Sequence, residues 1–313
     1  MSVLACDVGG TRIKLGVVED GQLRGQDMIP AESDRGLAQA LPRVTDGLLN
    51  LCLQTGVALE DCRGIGMGFP ALVDSKRGKV LDEYGKYQDA PDLDLNAWAR
   101  DSLSLPLAID NDARVALMGE WAFGAGRGSN NLAIITLGTG IGTAVISEGR
   151  MLRGPHFQAG NLCSHLTVEV DGQPCFCGGR GCVEAETGSA HLDQRARSML
   201  GFADSALAPL ENVDYAAVCR HAASGDAVAS ALLQRATKLW GVMCVGMIHA
   251  FDLERFVIGG GLMASADVIL PPIQRYVDRY ANTPWGRVEI TSAQYPDHMA
   301  LLGCEPLVDE LLA

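Results

Sequence analysis

Three cysteines fall within the eight residues CFCGGRGC, 175–182: Cys175, Cys177 and Cys182. A C-x-C-x4-C spacing on a glycine-rich stretch lets one loop wrap a single ion, and thiolates favour Zn²⁺ in a tetrahedral site. His165, ten residues upstream, completes a Cys₃His structural zinc site in the economical reading; the bland alternative is a buried histidine with no metal. A disulfide is disfavoured because no export signal is read at the N-terminus, and a thioredoxin-like pair would be C-x-x-C. The other seven cysteines (Cys6, Cys52, Cys62, Cys163, Cys219, Cys244, Cys304) stand singly, mostly among apolar residues, and read as core.

A second kind of chemistry lies in three glycine turns, each after an apolar run: Gly9-Gly10-Thr11, Gly138-Thr139-Gly140-Ile141-Gly142 and Gly259-Gly260-Gly261. Glycine lets backbone approach a phosphate and turn its N–H groups inward, and threonine adds a hydroxyl. Any one alone is an ordinary turn. Three together, with Asp7 ending the strand before the first, suggest a triphosphate gripped between two lobes. None matches a Walker A loop or a dinucleotide fingerprint. Asp7 is placed to hold Mg²⁺ against a nucleotide, or merely to cap its turn; Arg12 and Lys14 are nearby cations that otherwise lie on a solvated strand face.

The third constellation is Asp110-Asn111-Asp112, where a strand gives way to a helix. Open α/β sheets present reacting groups at strand C-termini. Phosphoryl transfer to a hydroxyl needs a carboxylate within reach of that hydroxyl to take its proton. The plain role is an N-cap, and the two roles are compatible.

These groups need elements to position them, and the patterning supplies an α/β alternation. Residues 3–8 read as a strand, 13–18 as a second strand, 35–55 as a helix, 63–74 as a strand breaking into a loop, 105–110 as a strand and 111–124 as a helix. Residues 131–146 repeat the strand, glycine turn and strand of 3–18, which suggests two lobes of similar plan. His165 is expected at the start of a strand over LTVEV. Residues 226–251 read as a long helix, 255–263 as a strand feeding glycines, and 300–312 as a helix packing back on the body.

The 313 residues are 48% hydrophobic and 20% charged, enough to bury one large or two medium cores. A formal net charge of −13 argues against a nucleic-acid surface, which needs clustered Lys and Arg. No window reaches the apolar length of a membrane span. The expectation is a cytoplasmic protein with neither nucleic-acid nor membrane partners.

DVGGTRIKLGVVE, IDNDARVALMGEW, ITLGTGIGTAV, CFCGGRGCVEA and VIGGGL, in this order over nearly the whole chain, resemble the ROK family of sugar kinases and related repressors. The cysteine motif with its following glutamate is the most specific of these. The resemblance implies a two-lobed actin/hexokinase-like (ribonuclease H-like) α/β ATPase fold, with the sugar between the lobes, commonly as a homodimer, and with ATP, Mg²⁺ and a structural Zn²⁺. Lobes of 1–112, joined by the C-terminal helix 300–313, and 113–299 are expected. Carried over residue by residue, it makes Asp112 the catalytic base toward a hexose or N-acylhexosamine hydroxyl, usually O6. Asn111, Asn161, His165 and Glu184 become sugar ligands. Asp7, Gly9, Gly10, Thr11, Arg12, Gly138, Thr139, Gly140, Gly142, Gly260 and Gly261 surround the nucleotide, and His165, Cys175, Cys177 and Cys182 hold zinc, which fixes the loop rather than reacting.

The chain departs from the family pattern at AGNLCSH (159–165), where glucose-phosphorylating members read A-G-E-x-G-H. Asn161 stands in for the acidic ligand with one extra residue before the histidine, or Leu162 fills the equivalent position. Arg12 and Arg114 occupy positions where Lys and Asn are usual. Losing a charged acceptor alters which sugar fits. The alternative readings are a sugar-responsive regulator, disfavoured because the first phosphate strand begins at residue 3 with no helix-turn-helix ahead of it, and a non-catalytic sensor, which would not need a base.

Overall fold

A computed structural model describes all 313 residues, and the contacts divide them into two compact units. In the first, β1 (Ser2–Val8), β2 (Arg12–Glu19) and β3 (Gln22–Pro30) form an antiparallel meander, and α1 (Leu37–Thr55) follows. The helix buries Leu37, Leu41, Val44, Leu48 and Leu51, the three- and four-residue spacing of one face. Next come β4 (Cys62–Phe69), the small hairpin β5 (Leu72–Asp74) and β6 (Lys79–Asp82), α2 (Leu95–Leu103), β7 (Leu107–Asn111) and α3 (Asp112–Phe123). The sheet order is β3-β2-β1-β4-β7, with β1, β4 and β7 parallel. Asp7, Gly68 and Asp110 stand in register across the three parallel strands.

The second unit repeats this plan. Its strands β8 (Leu132–Leu137), β9 (Ile141–Ser147) and β10 (Arg150–Met151) form the meander. Four helices follow: α4 (Val183–Thr187), α5 (Leu192–Arg197), α6 (Tyr215–Ala223) and α7 (Ala227–Phe251). Then come β11 (Arg255–Gly259), α8 (Ala266–Tyr280) and β12 (Glu289–Ser292), and the sheet order is β10-β9-β8-β11-β12. The faint repeat of 3–18 at 131–146 is thus a duplication of a whole sheet topology. Trp240 and Met243 of α7 share the second core with Phe256 and Ile258 of β11. LTVEV is not a strand: Thr167 makes only an isolated bridge to Cys182, because the hairpin that follows offers no continuous edge.

The last helix, α9 (Met299–Leu312), belongs to the first unit and lies on α3, β1 and β4. Here glycine is required by close approach. A Cβ at Gly119 would strike the carbonyl of Met299, and one at Gly303 would strike that of Val115. The contacts place the division elsewhere than 112/113: Met1–Gly128, Arg153–Asn161 and His298–Ala313 form one unit, Ser129–Leu152 and Leu162–Asp297 the other. The physical reason is α3, whose glycine face is committed to α9. No helix is long and apolar enough to cross a membrane.

Candidate active site

Asn111 ends β7 and caps α3: its Oδ1 accepts from the N–H of Ala113 (2.9 Å) and Arg114 (3.4 Å). That cap fixes the carboxamide's orientation, because only the oxygen can accept. Nδ2 consequently donates to the Ala71 carbonyl at 3.1 Å. Asn161 adds a third donor, its Nδ2 lying 2.7 Å from the same Oδ1. The sequence-predicted sugar ligands Asn111 and Asn161 are therefore one hydrogen-bonded pair.

Asp112 follows at the first turn of α3, where its Oδ1 accepts from the Ala113 N–H at 2.8 Å. Burial among protein atoms, then the charge of Asp7, push its carboxyl up to about 7; the Ala113 N–H, Lys86 and Asn111 oppose the shift. Asp7 is itself raised, by burial, against the opposing charge of Lys14, its register partner on β2. Gly68 sits beside both: a Cβ there would lie 3.5 Å from the Asp112 Cα and 3.6 Å from Asp7 Oδ1. A carboxyl titrating near neutrality is suited to accept a proton at ordinary pH.

The first glycine turn closes through Gly9 N–H on the Arg12 carbonyl at 3.0 Å. Tyr87 Oη donates to the Gly9 carbonyl (2.8 Å) and Ser33 Oγ to that of Gly10 (2.9 Å). Thr11 is exposed. Arg12 is exposed too, its Nη1 reaching the sulfur of Met28 at 3.7 Å. The sequence reading passed over Lys86, whose Nζ lies 3.0 Å from where a Gly10 Cβ would be, so its ammonium rests on the turn. Only the isolated lysine in YGKYQ could have signalled it.

In the second unit, Gly138 N–H meets the Gly140 carbonyl at 3.0 Å and Ser189 Oγ the Gly138 carbonyl at 2.7 Å. Thr139 is exposed at the tip. Gly142 is not in the turn: it lies inside β9 opposite Thr136, because that strand starts at Ile141. Glu184, at the start of α4, accepts from the Ile141 N–H at 2.7 Å, so one of its carboxylate oxygens braces this turn. Gly260 has φ +90°, and a Cβ there would strike the Leu137 carbonyl; Gly261 opens a short turn before α8.

The cysteines occupy a miniature hairpin. Its rungs are Gly181 N–H to the Gln173 carbonyl (2.7 Å) and Cys175 N–H to that of Gly179 (2.9 Å). Cys175 Sγ stands 3.5 Å from His165 Nδ1, and Cys177 Sγ 3.6 Å from Cys182 Sγ. All four ligand atoms lie within 4.8 Å of one another. Zn–S near 2.3 Å and Zn–N near 2.0 Å give tetrahedral edges of about 3.5–3.8 Å, so the donor set fits zinc. Phe176 packs edge-on against the His165 ring at 5.0 Å. Gly179 N–H points at Cys177 Sγ (3.4 Å), favouring a thiolate.

Paired sheets of one topology, glycine turns after their first strands and a carboxylate at a strand C-terminus define an α/β protein of the actin/hexokinase-like fold. The chain belongs to the ROK family, whose pattern matches residues 3–310. It is 30% identical over 286 residues to a glucokinase of Halalkalibacterium halodurans, covering 88% of this chain and 84% of that one. A ROK family glucokinase from Streptomyces griseus, solved with glucose and AMPPNP, superimposes with a TM-score of 0.83 at 26% identity, covering 99% of this chain and 100% of that one. The N-acetylglucosamine repressor of Escherichia coli is 26% identical over 256 residues, 80% of this chain and 61% of the repressor.

Proposed function

We propose that the protein is an ATP-dependent sugar kinase in which Asp112 is the general base. The observation that carries this reading is a carboxyl pushed up to about 7 beside the polar pair Asn111 and Asn161. Asp112 takes the proton of an acceptor hydroxyl, O6 of a hexose or N-acylhexosamine, as its oxygen bonds to the γ-phosphorus; the bond to the bridging oxygen breaks, and ADP leaves with that electron pair. Asn111 keeps one Nδ2 hydrogen beyond its bond to Ala71 and offers it to a sugar oxygen.

The glycine turns at Gly9–Thr11, Gly138–Gly140 and Gly260–Gly261 offer backbone N–H groups to the phosphates, with Lys86 as a local cation. Asp7 would hold Mg²⁺, which supplies charge neutralisation on the donor. His165, Cys175, Cys177 and Cys182 would hold a structural zinc. With Nδ1 turned to the cysteines, His165 presents Nε2 to a sugar hydroxyl, and Glu184 accepts from another. We place the enzyme in the cytoplasm as a homodimer, in line with the family resemblance.

The second reading, a sugar-responsive protein without turnover, is favoured by the repressor similarity and by the neutral Asn161 where an acid is usual. ADP release from Mg²⁺-ATP over a panel of glucose, mannose, fructose, allose, N-acetylglucosamine, N-acetylmannosamine and a β-glucoside separates the two. Turnover on one sugar establishes the kinase. Binding by calorimetry with no turnover on any establishes the sensor.

A further inference from the structure

Arg114 is the molecule's largest departure from expectation: an arginine with no side-chain exposure, two residues beyond the proposed base. Its Nη1 donates to Asp110 Oδ1 at 3.2 Å. Nη2 spans two backbone carbonyls, Phe157 at 2.7 Å and Ala159 at 3.1 Å. Those carbonyls belong to the strap Arg153–Asn161, which packs in the first unit although its flanking residues belong to the second.

The strap needs holding. Three of its nine residues have left-handed backbone, Gly154 (φ +70°), Phe157 (φ +59°) and Gly160 (φ +71°), and Phe157 has a Cβ that disfavours it. Its other end is tied by the same carboxylate, because Arg153 Nε donates to Asp110 Oδ2 at 2.7 Å. Arg153 in turn makes a two-pronged pair with Glu310 of α9, at 2.6 and 2.8 Å. Glu310, Arg153, Asp110 and Arg114 thus sum to zero charge, which is what lets the arginine lie buried.

What the strap delivers is Asn161, two residues beyond the carbonyl of Ala159. Its Nδ2 must be presented to an Asn111 oxygen that already accepts from two N–H groups. An acidic side chain would meet that oxygen lone pair to lone pair. The carboxamide and the arginine therefore belong together.

We propose that Arg114 is a positioning residue for sugar selection: by gripping the Phe157 and Ala159 carbonyls it locks Asn161 onto Asn111, so that the two carboxamides meet the acceptor sugar as one fixed polar edge. The idea rests on the kinase reading of the site and adds which residues set its specificity.

The test is a double-mutant cycle on the full-length protein, Arg114→Met with Asn161→Ala, read on the best sugar and on its poorest accepted epimer. Each single variant is expected to raise the KM for the best sugar about 30-fold, within the span of a lost hydrogen bond to a substrate group, while the KM for ATP stays within about twofold. Preference over the epimer should fall alongside. The double variant should be no worse than either single one. Additive losses, or equal losses in both KM values, overturn the proposal. Because Arg114→Met leaves Asp110 with Arg153 alone, Arg114→Lys serves as the second variant: a shorter side chain ending in one nitrogen cannot serve Asp110 and both carbonyls at once, so it should keep folding yet recover little selectivity, and full recovery overturns the role. Should the wild type phosphorylate no sugar, the kinase reading fails by itself. Hydrogen exchange and sugar calorimetry then decide the inference: faster exchange at Ala159 and Asn161 with weakened, less selective binding in Arg114→Lys supports it, and unchanged exchange or selectivity overturns it.

Discussion

The Asp112 site and the cysteine hairpin are built in opposite ways. The first sits on the ends of β7 and α3, and its neighbours Asp110, Asn111, Arg114 and Asn161 are buried and bonded to one another or to backbone. The second is a loop held mainly by backbone hydrogen bonds; Cys177 is exposed and Phe176 is 71% exposed. The first site is closed by side-chain hydrogen bonds among its own buried residues, whereas the second brings four ligand side chains to ion-binding spacing near the surface. The comparison teaches that reactivity and loop geometry are secured by separate means.

The sharpest way to probe the contrast is Asp112→Asn. Turnover should fall by about a thousandfold, the middle of the range for a general base, while sugar binding by calorimetry persists. Near-normal turnover would remove Asp112 from that role. The same variant should be more stable than wild type at pH 8 and indistinguishable at pH 4. A carboxyl raised to about 7 in the folded protein binds a proton that the unfolded chain, at roughly 3.9, has lost, so stability declines as pH rises between these values and stays lower above them. Melting curves at the two pH values check this.

A smaller, more local effect is expected from Cys177→Ser or a chelator. Metal analysis should show zinc lost and hydrogen exchange should quicken over 163–182, while amides around Asp110 and Arg114 keep their protection. Full zinc content in the variant, or loosening of both regions together, would break the contrast. The mildest change is in the pH profile: the acidic limb of kcat/KM should fall near pH 7, and Lys86→Met, by removing a cation that holds the Asp112 carboxyl down, should move the limb upward by a fraction of a unit. A downward shift would show that Lys86 does not face the base.

Features encoded within a dozen residues were legible in the chain. The Asn111 cap, the turn at Gly9-Gly10, the C-x-C-x4-C loop and the repeated strand pair each follow from local chemistry. Features that join distant residues were not. Arg114 meets carbonyls 43 and 45 positions away, Arg153 meets Glu310 across 157 positions, and α3 takes its unit from the close contact of its Gly119 with α9 and of Gly303 on α9 with α3. Nothing near Arg114 says that it will be buried, since a first-turn arginine ordinarily lies in solvent. Gly142 shows the converse: a glycine-rich run has the composition of a turn throughout, yet its last glycine already lies in the next strand.

The return of α9 also governs how the protein is made. Asp20 and Gly21 donate their N–H groups to the Glu305 carboxylate across 285 and 284 positions, and Cys304 fills the space that Gly66 leaves open. The first strands off the ribosome therefore wait for the last helix before their sheet is covered. At about 5–20 residues per second, that leaves an apolar sheet face uncovered for roughly 15–60 seconds of synthesis.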